Sequence, residues 1–437
     1  CMEELAETLY EKDLWPESEV NIARMWIEVL KSESVRMPRR LGKIEDAYSI
    51  DRVDGEGIAN CRRTHLNLEK SLPWNRKRPA RKRAALLTKD FTELQEWCTA
   101  AGQTNASEWN FPSRKAVAKR TLQSRILSGN LNTVAIITNN YEWGANIGLL
   151  QRMYETSFGM LIFCGHFPQR MESLMESAGR LDFPPPRLPV SYVHLSPEEL
   201  NGGFNIQGCL AKVAEMRLRN VTGYYMFADD TVFNVWRDLD LDILHLGPHF
   251  HLSENYWWTT PFGKPAMSKT RELIRNKYWK DPRTAHLMNT MRFGYRILRP
   301  YVRYHPLVDM NLNDGWLASD WLYVPIAQMP IVQFFAQITF EAKLFHEIFW
   351  DRLSRFIPAY IHEPTSTHSI VYQWWEEREY WVGNYSELNV GIHPVKQSYL
   401  RDHDNRTMYC NGPLTAIFTN LFTPGRLHPI TEADQAL

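Results

Sequence analysis

The segment Gly223-Tyr224-Tyr225-Met226-Phe227-Ala228-Asp229-Asp230-Thr231-Val232-Phe233-Asn234 decides how the rest of the chain is read. Its apolar run, Tyr224 to Ala228, has the length of a strand buried on both faces, and it ends abruptly in two carboxylates. A second apolar pair, Val232 and Phe233, follows at once. In an open α/β sheet, ligands bind at the carboxyl ends of the strands, so Asp229 and Asp230 are predicted to face a site. Adjacent acids there suit a divalent cation held jointly with substrate phosphates. A strand-end turn that merely solvates its acids is the plainer alternative.

The residues upstream place this segment in a series. Thr133–Thr138 (TVAIIT) reads as a first buried strand, closed by the polar turn Asn139-Asn140-Tyr141. Ile147, Leu149, Leu150 and Met153 mark a helix, Met160–Cys164 a second strand, and Met171–Ala178 a short helix before the prolines at 184 to 186. Val190–His194 is a third strand. Asn205–Arg219 is a helix with Ile206, Leu210, Val213, Ala214 and Leu218 along one side, leading into Gly223. Four strands alternating with helices require right-handed crossovers and a mostly parallel α/β sheet flanked by helices.

Here the sequence resembles the nucleotide-sugar-binding half of GT-A-type glycosyltransferases, over about Thr133 to Tyr323. Their signature is an Asp-x-Asp motif at the end of the fourth strand, and A-D-D-T-V-F-N is similar to it. The N-N-Y-x-W and A-D-D motifs are also similar to a little-studied group of nematode and plant-type glycosyltransferases. The resemblance implies that Asp230 coordinates Mn²⁺ or Mg²⁺ bridging the diphosphate of a UDP-sugar. Asp229 would contact the ribose or the metal and its water shell, Thr231 would help bind the nucleotide sugar, and Asn139, Asn140 and Tyr141 would face the uracil and ribose. The first acid of the family motif is replaced here by Ala228. A third metal ligand would come from the C-terminal part, with His403 and His393 as candidates. A carboxylate beyond the metal motif would act as general base, either Asp320 or Asp314. The aromatics of Asn255–Pro261 are expected to pack over a sugar or acceptor. Trp257 and Trp258 are adjacent, so in a strand only one of them faces the pocket and the other packs in the core. Arg217, Arg219 or Lys264 would assist at the phosphates.

The remainder divides into residues 1–130, helical and basic, and 331–437, a helical and aromatic lobe, around a core at 131–330. Ile22 to Leu30 shows helical spacing. Lys70, Arg76, Lys77, Arg78, Arg81, Lys82 and Arg83 form a basic run without acids; it reads as a solvated loop or helix face, or as a nuclear, nucleic-acid-binding patch. Phe91–Trp97 reads as a helical turn or two and Asn105–Leu127 as a polar, basic link. Trp321–Phe340 carries no charge over twenty residues, but its prolines and glutamines favour a buried strand and helix over a membrane span. Phe340–Phe356 reads as one amphipathic helix.

Composition bounds the function. Lys+Arg and Asp+Glu each total 50 in 437 residues, so no global field points to nucleic acid or membrane. The six cysteines contain no C-x-x-C pair, which argues against a zinc ribbon and leaves one to three disulfides of open pairing. Sequons at Asn105, Asn220, Asn384 and Asn405 agree with a lumenal, Golgi or ER location. The chain begins with Cys1, so a membrane anchor is expected in a segment before it. P-loop, dinucleotide, nucleophile-elbow and zincin motifs do not occur. The expected function is transfer of a sugar from a nucleotide donor to a glycan or protein acceptor. A catalytically inactive scaffold for other transferases is the alternative that Ala228 raises.

Overall fold

The computed structural model describes residues 80–423 except 101, 103, 140–143, 167–170, 219, 248, 251–255, 286, 289–315, 318–319, 362–365, 368–369 and 373–380. The Ile22–Leu30 helix, the basic residues 70 and 76–78, Asn140, Tyr141, Arg219 and Asp314 therefore lie outside the described residues.

The strands are β1 (Thr133–Asn139), β2 (Met160–Gly165), β3 (Tyr192–His194), β4 (Gly223–Ala228), β5 (Val232–Phe233), β6 (His245–Leu246), β7 (His249–Phe250), β8 (Trp316–Leu317), β9 (Trp321–Pro325), β10 (Ser366–Thr367), β11 (Ile370–Tyr372) and β12 (Gly391–His393). Seven of them form the central sheet in the order β10-β6-β9-β4-β1-β2-β3. The pairs β3–β2, β2–β1, β1–β4 and β6–β10 are parallel, whereas β9 runs antiparallel to both β4 and β6. The fold is mixed α/β with a largely parallel sheet flanked by helices. A small sheet, β11-β12-β5, and the pair β7-β8 complete it.

Strand alternation explains why these runs are apolar throughout. Val134, Ile136, Ile162, Tyr224, Met226, Leu322 and Val324 point into one core, while Ala135, Ile137, Phe163, Tyr225, Phe227, Trp321 and Tyr323 point into the other. A sheet with both faces covered has no polar side to alternate with. The helices Gln207–Glu215, Lys264–Asn276, Met329–Ala342 and His346–Ile361 supply the first core. The helices Ala80–Ala100, Arg114–Gln123, Ile147–Tyr154, His403–Tyr409 and Thr415–Phe422 supply the second. That second core joins Ala84 to Phe422, so the boundaries drawn at 130 and 330 do not separate cores.

Several local expectations change. Phe91–Trp97 belongs to a helix of 21 residues whose buried stripe is Ala84, Leu87, Phe91, Leu94, Trp97 and Cys98. Arg81 and Lys82 are solvated on that helix and Arg83 is buried. The link Asn105–Leu127 is built of helical pieces, Arg114–Gln123 and Arg125–Asn130 beginning at the capping hydroxyls of Ser113 and Ser124. The helix leading to β4 stops at Glu215, and Arg217 and Asn220 take left-handed backbone at φ 49° and 59° in the turn beyond it. The uncharged run 321–340 is β9 followed by the buried helix from Met329; among the described residues no helix is long and apolar enough to cross a membrane. Finally, Phe340–Phe356 is broken. Lys343 turns left-handed (φ 59°), Leu344 N–H donates to the Thr339 carbonyl, and a new helix starts at His346. Disulfides join Cys98 to Cys410 and Cys164 to Cys209.

Candidate functional site

The acid pair emerges where the register predicts. Thr138 pairs with Ala228 in the last rung of β1 and β4, and the Asp229 N–H donates to the Thr138 carbonyl at 2.9 Å. On the other side the Ala228 N–H donates to the Asp320 carbonyl at 2.9 Å. Asp320 immediately precedes β9, so antiparallel pairing of β9 with β4 brings it beside the acids from ninety residues downstream in sequence. The Thr231 N–H closes the turn on the Ala228 carbonyl.

The C-terminal segment reaches the same place through a second sheet. Beyond the acids, β5 pairs antiparallel with β12, Ile392 opposite Val232, and the next pair is Thr231 and His393. Gly391 makes this approach possible, since a Cβ there would lie 2.5 Å from the Val232 carbonyl oxygen. The segment is then tied down, Val395 N–H donating to the Asp230 carbonyl at 2.6 Å and Gln397 Nε2 to the Asp229 carbonyl at 2.8 Å.

His393 lies between two carboxylates. Its Nδ1 is 3.2 Å from Asp230 Oδ1 and 3.1 Å from Thr231 Oγ1, and its Nε2 is 2.7 Å from Asp320 Oδ2. The other oxygen of Asp320 lies 3.0 Å from His346 Nε2, at the start of the helix that the Lys343 turn creates. Lys396 Nζ contacts Asp230 Oδ2, and Asn146 Nδ2 donates to Asp229 Oδ2 at 2.8 Å.

These contacts divide the carboxyls by environment. Burial and the neighbouring Asp230 charge push Asp229 up to about 7. Burial also pulls on Asp230, but His393 and Lys396 outweigh it and hold Asp230 at about 2. Asp320 is likewise held well below the usual carboxylate range against its burial, by His393 and His346. Burial disfavours the His393 charge, but Asp230 and Asp320 raise it to about 10, so the imidazolium persists at neutral pH. Glu347, next along the helix, is driven well up by burial and by Asp320.

Of the predicted residues, Asp229, Asp230, Thr231, Asp320 and His393 converge. Asn139 ends β1, buried, one rung beyond Thr138. His403 does not join them: it opens the helix His403–Tyr409, is exposed, pairs with Asp404 and faces Gly102. Trp257 and Trp258 lie in the short helix Tyr256–Thr259, not in a strand. Trp258 is fully buried with the Arg352 guanidinium over its ring at 4.7 Å, and Trp257 packs on Phe204 and Phe345. Trp258 is thus a core residue, and Trp257 is partly buried against the same core. Arg217 sits before β4, at the end of the strand opposite the acids, and Lys264 opens an exposed helix end. Sequence reasoning missed Asn146, His346 and Lys396. Only the polar 393–397 segment carried a signal, a histidine and a lysine flanking a Pro-Val turn.

The resemblance implies a divalent cation on Asp230. Among the described residues no group of three or more His, Cys, Asp or Glu is arranged to hold one. Asp230 presents its two oxygens to an imidazolium and an ammonium, and Asp229 is engaged by Asn146. As arranged, this donor set does not fit the ion.

The family model of the STELLO glycosyltransferases matches residues 1–299. The chain belongs to the STELLO glycosyltransferase family. The matched range includes β1 to β4 and the acid pair but ends before Asp320, His346, His393 and Lys396. No curated protein and no solved structure matches the chain.

Proposed function

We propose that this STELLO-family chain transfers a sugar from a nucleotide diphosphate donor, a UDP-sugar being the first choice, to a glycan or protein acceptor, at the cluster beyond β4. The observation that carries this reading is the meeting of Asp229, Asp230 and Asp320 with His393 and Lys396 at the carboxyl end of a parallel strand. Nucleotide sugar would bind across the ends of β1 and β4, with Asn139 and Thr231 beside it. Of the carboxyls, Asp320 is pinned in its charged form between two histidines and positions them. Asp229, at about 7, has the proton affinity suited to taking a proton from an attacking acceptor hydroxyl.

The test is a sugar-nucleotide turnover assay on the full chain with a panel of donors and glycan acceptors. Asp229→Asn should lower kcat by roughly 10²- to 10⁴-fold while leaving nucleotide affinity nearly intact. Undiminished turnover in Asp229→Asn would remove it from the chemistry; the absence of donor binding in the wild type would remove the reading itself.

The site is proposed to work in an oxidising lumen of the Golgi or ER, supported by the Cys98–Cys410 and Cys164–Cys209 disulfides and by the exposed sequon asparagines Asn220 and Asn384. A gel shift on deglycosylation of the native protein checks it. A second reading, a catalytically silent scaffold, is favoured by Ala228, which is fully buried where the related motif carries an acid. Nucleotide binding without turnover would select it.

A further inference from the structure

The mismatch between the acid pair and a divalent cation has a counterpart in the residues that occupy it. We propose that Lys396, supported by His393, supplies the positive charge that receives the donor's diphosphate, so that a resident divalent cation is not needed at Asp230; this rests on the donor reading above.

Three observations carry it. First, the ammonium of Lys396 is brought to Asp230 by fixed backbone, not by a loose surface contact. Val395 and Gln397, its two neighbours, are each hydrogen-bonded to a carbonyl of the acid pair. Second, the charges are stacked in order. Asp320 holds His393, His393 and Lys396 together face Asp230, and His346 holds the far oxygen of Asp320. A divalent ion entering at Asp230 would meet two cations already in place, whereas a diphosphate would meet them with the favourable sign. Third, Lys396 keeps about a third of its side chain exposed (34%) while Asp230 is nearly buried (12%). The cation therefore has a face toward solvent from which an anion can approach, and the acid behind it does not. Lysine serves phosphate as a compact point charge in this way.

In the chemistry that follows, the bond between the anomeric carbon and the diphosphate oxygen breaks, and the electron pair leaves with that oxygen. The acceptor oxygen forms the new bond to the anomeric carbon and gives up its proton to a site carboxylate. Lys396 balances the charge that gathers on the departing diphosphate, a role that requires no change in its own protonation.

The experiment measures binding of UDP and GDP to the full chain by calorimetry, in EDTA and in Mn²⁺ or Mg²⁺. Wild type should bind one of them with affinities within about twofold in all conditions. Lys396→Met should weaken binding by roughly ten- to a hundredfold, and Lys396→Arg should recover most of it. The double variant Asp230→Asn with Lys396→Met separates direct from indirect action. It stays weak if the ammonium contacts the diphosphate, and returns to wild-type affinity if Lys396 serves only to neutralise Asp230. Affinity that disappears in EDTA and returns with Mn²⁺ would overturn the proposal, as would a Lys396→Met variant that binds like wild type or a recovered double variant. A wild type that binds neither nucleotide under any condition would overturn the donor reading, and this proposal with it.

Discussion

His393 concentrates the electrostatics of the site in one imidazole. Its proton is held to about 10, against an ordinary 6.5, because Asp230 and Asp320 flank it despite burial. A group bound more tightly in the folded state contributes fully below its unfolded value and loses that contribution as pH rises through its folded value. The His393 contribution is therefore present below about 6.5 and fades toward pH 10. Asp229, raised from 3.8 to about 7, loses its contribution over that lower interval. Asp230, depressed to about 2, contributes above 3.8 and loses that as pH falls toward 2. His393→Gln is thus expected to lower the melting temperature at pH 7 and to flatten its decline between pH 7 and 10, read by thermal melts across that range. Trp258 belongs to the same scale but to the core. Its truncation to Ala should cost about 3–5 kcal/mol, measured in denaturant, and a variant that kept its stability but lost acceptor binding would return Trp258 to the site.

Among the elements, the break at Lys343 lies just before His346, which contacts Asp320. The left-handed turn restarts the chain, and His346 opens the new helix with its N–H donating to the Phe204 carbonyl at 2.9 Å. A β-branched side chain resists that backbone. Lys343→Val is expected to cost about 1–3 kcal/mol and to reduce turnover, while Lys343→Gly retains both; equal activity in the two variants would show that the break does not position the site. Periodicity did not reveal this turn, because Phe340, Leu344, Phe345, Ile348 and Phe349 keep helical spacing across it. Pairing of β5 with β12 was equally invisible, each partner being two or three residues long and far apart in sequence.

At the scale of the whole molecule, the two ends of the described chain close one core. Phe91, Trp109, Phe418 and Phe422 pack ring against ring, and Cys98–Cys410 ties the helix Ala80–Ala100 to the C-terminal helices across 312 residues. Removing that disulfide with Cys98→Ala and Cys410→Ala should cost about 2–5 kcal/mol in chemical unfolding; an unchanged midpoint would show that the packed aromatics suffice. The buried strands β1, β2 and β4, the helices between them and the acids at the end of β4 were all legible from sequence. Each is a local pattern: an apolar run too short to be a helix, a helical stripe, or a polar residue at a strand's end. Asp320 was named for its chemistry and His393 for its residue type, but nothing local distinguished His393 from His403. That choice belongs to the β5–β12 register, which carries His393 to Thr231 and leaves His403 on an exposed helix end. Trp258 shows the converse, since aromatic character suits a sugar platform and a core alike and only its full burial places it in the core. Local pattern thus specifies which residues alternate into a sheet and where its acids emerge. Which distant histidine and lysine neutralise those acids depends on long-range pairing, where the energy lies in contacts between segments that no single stretch of sequence contains.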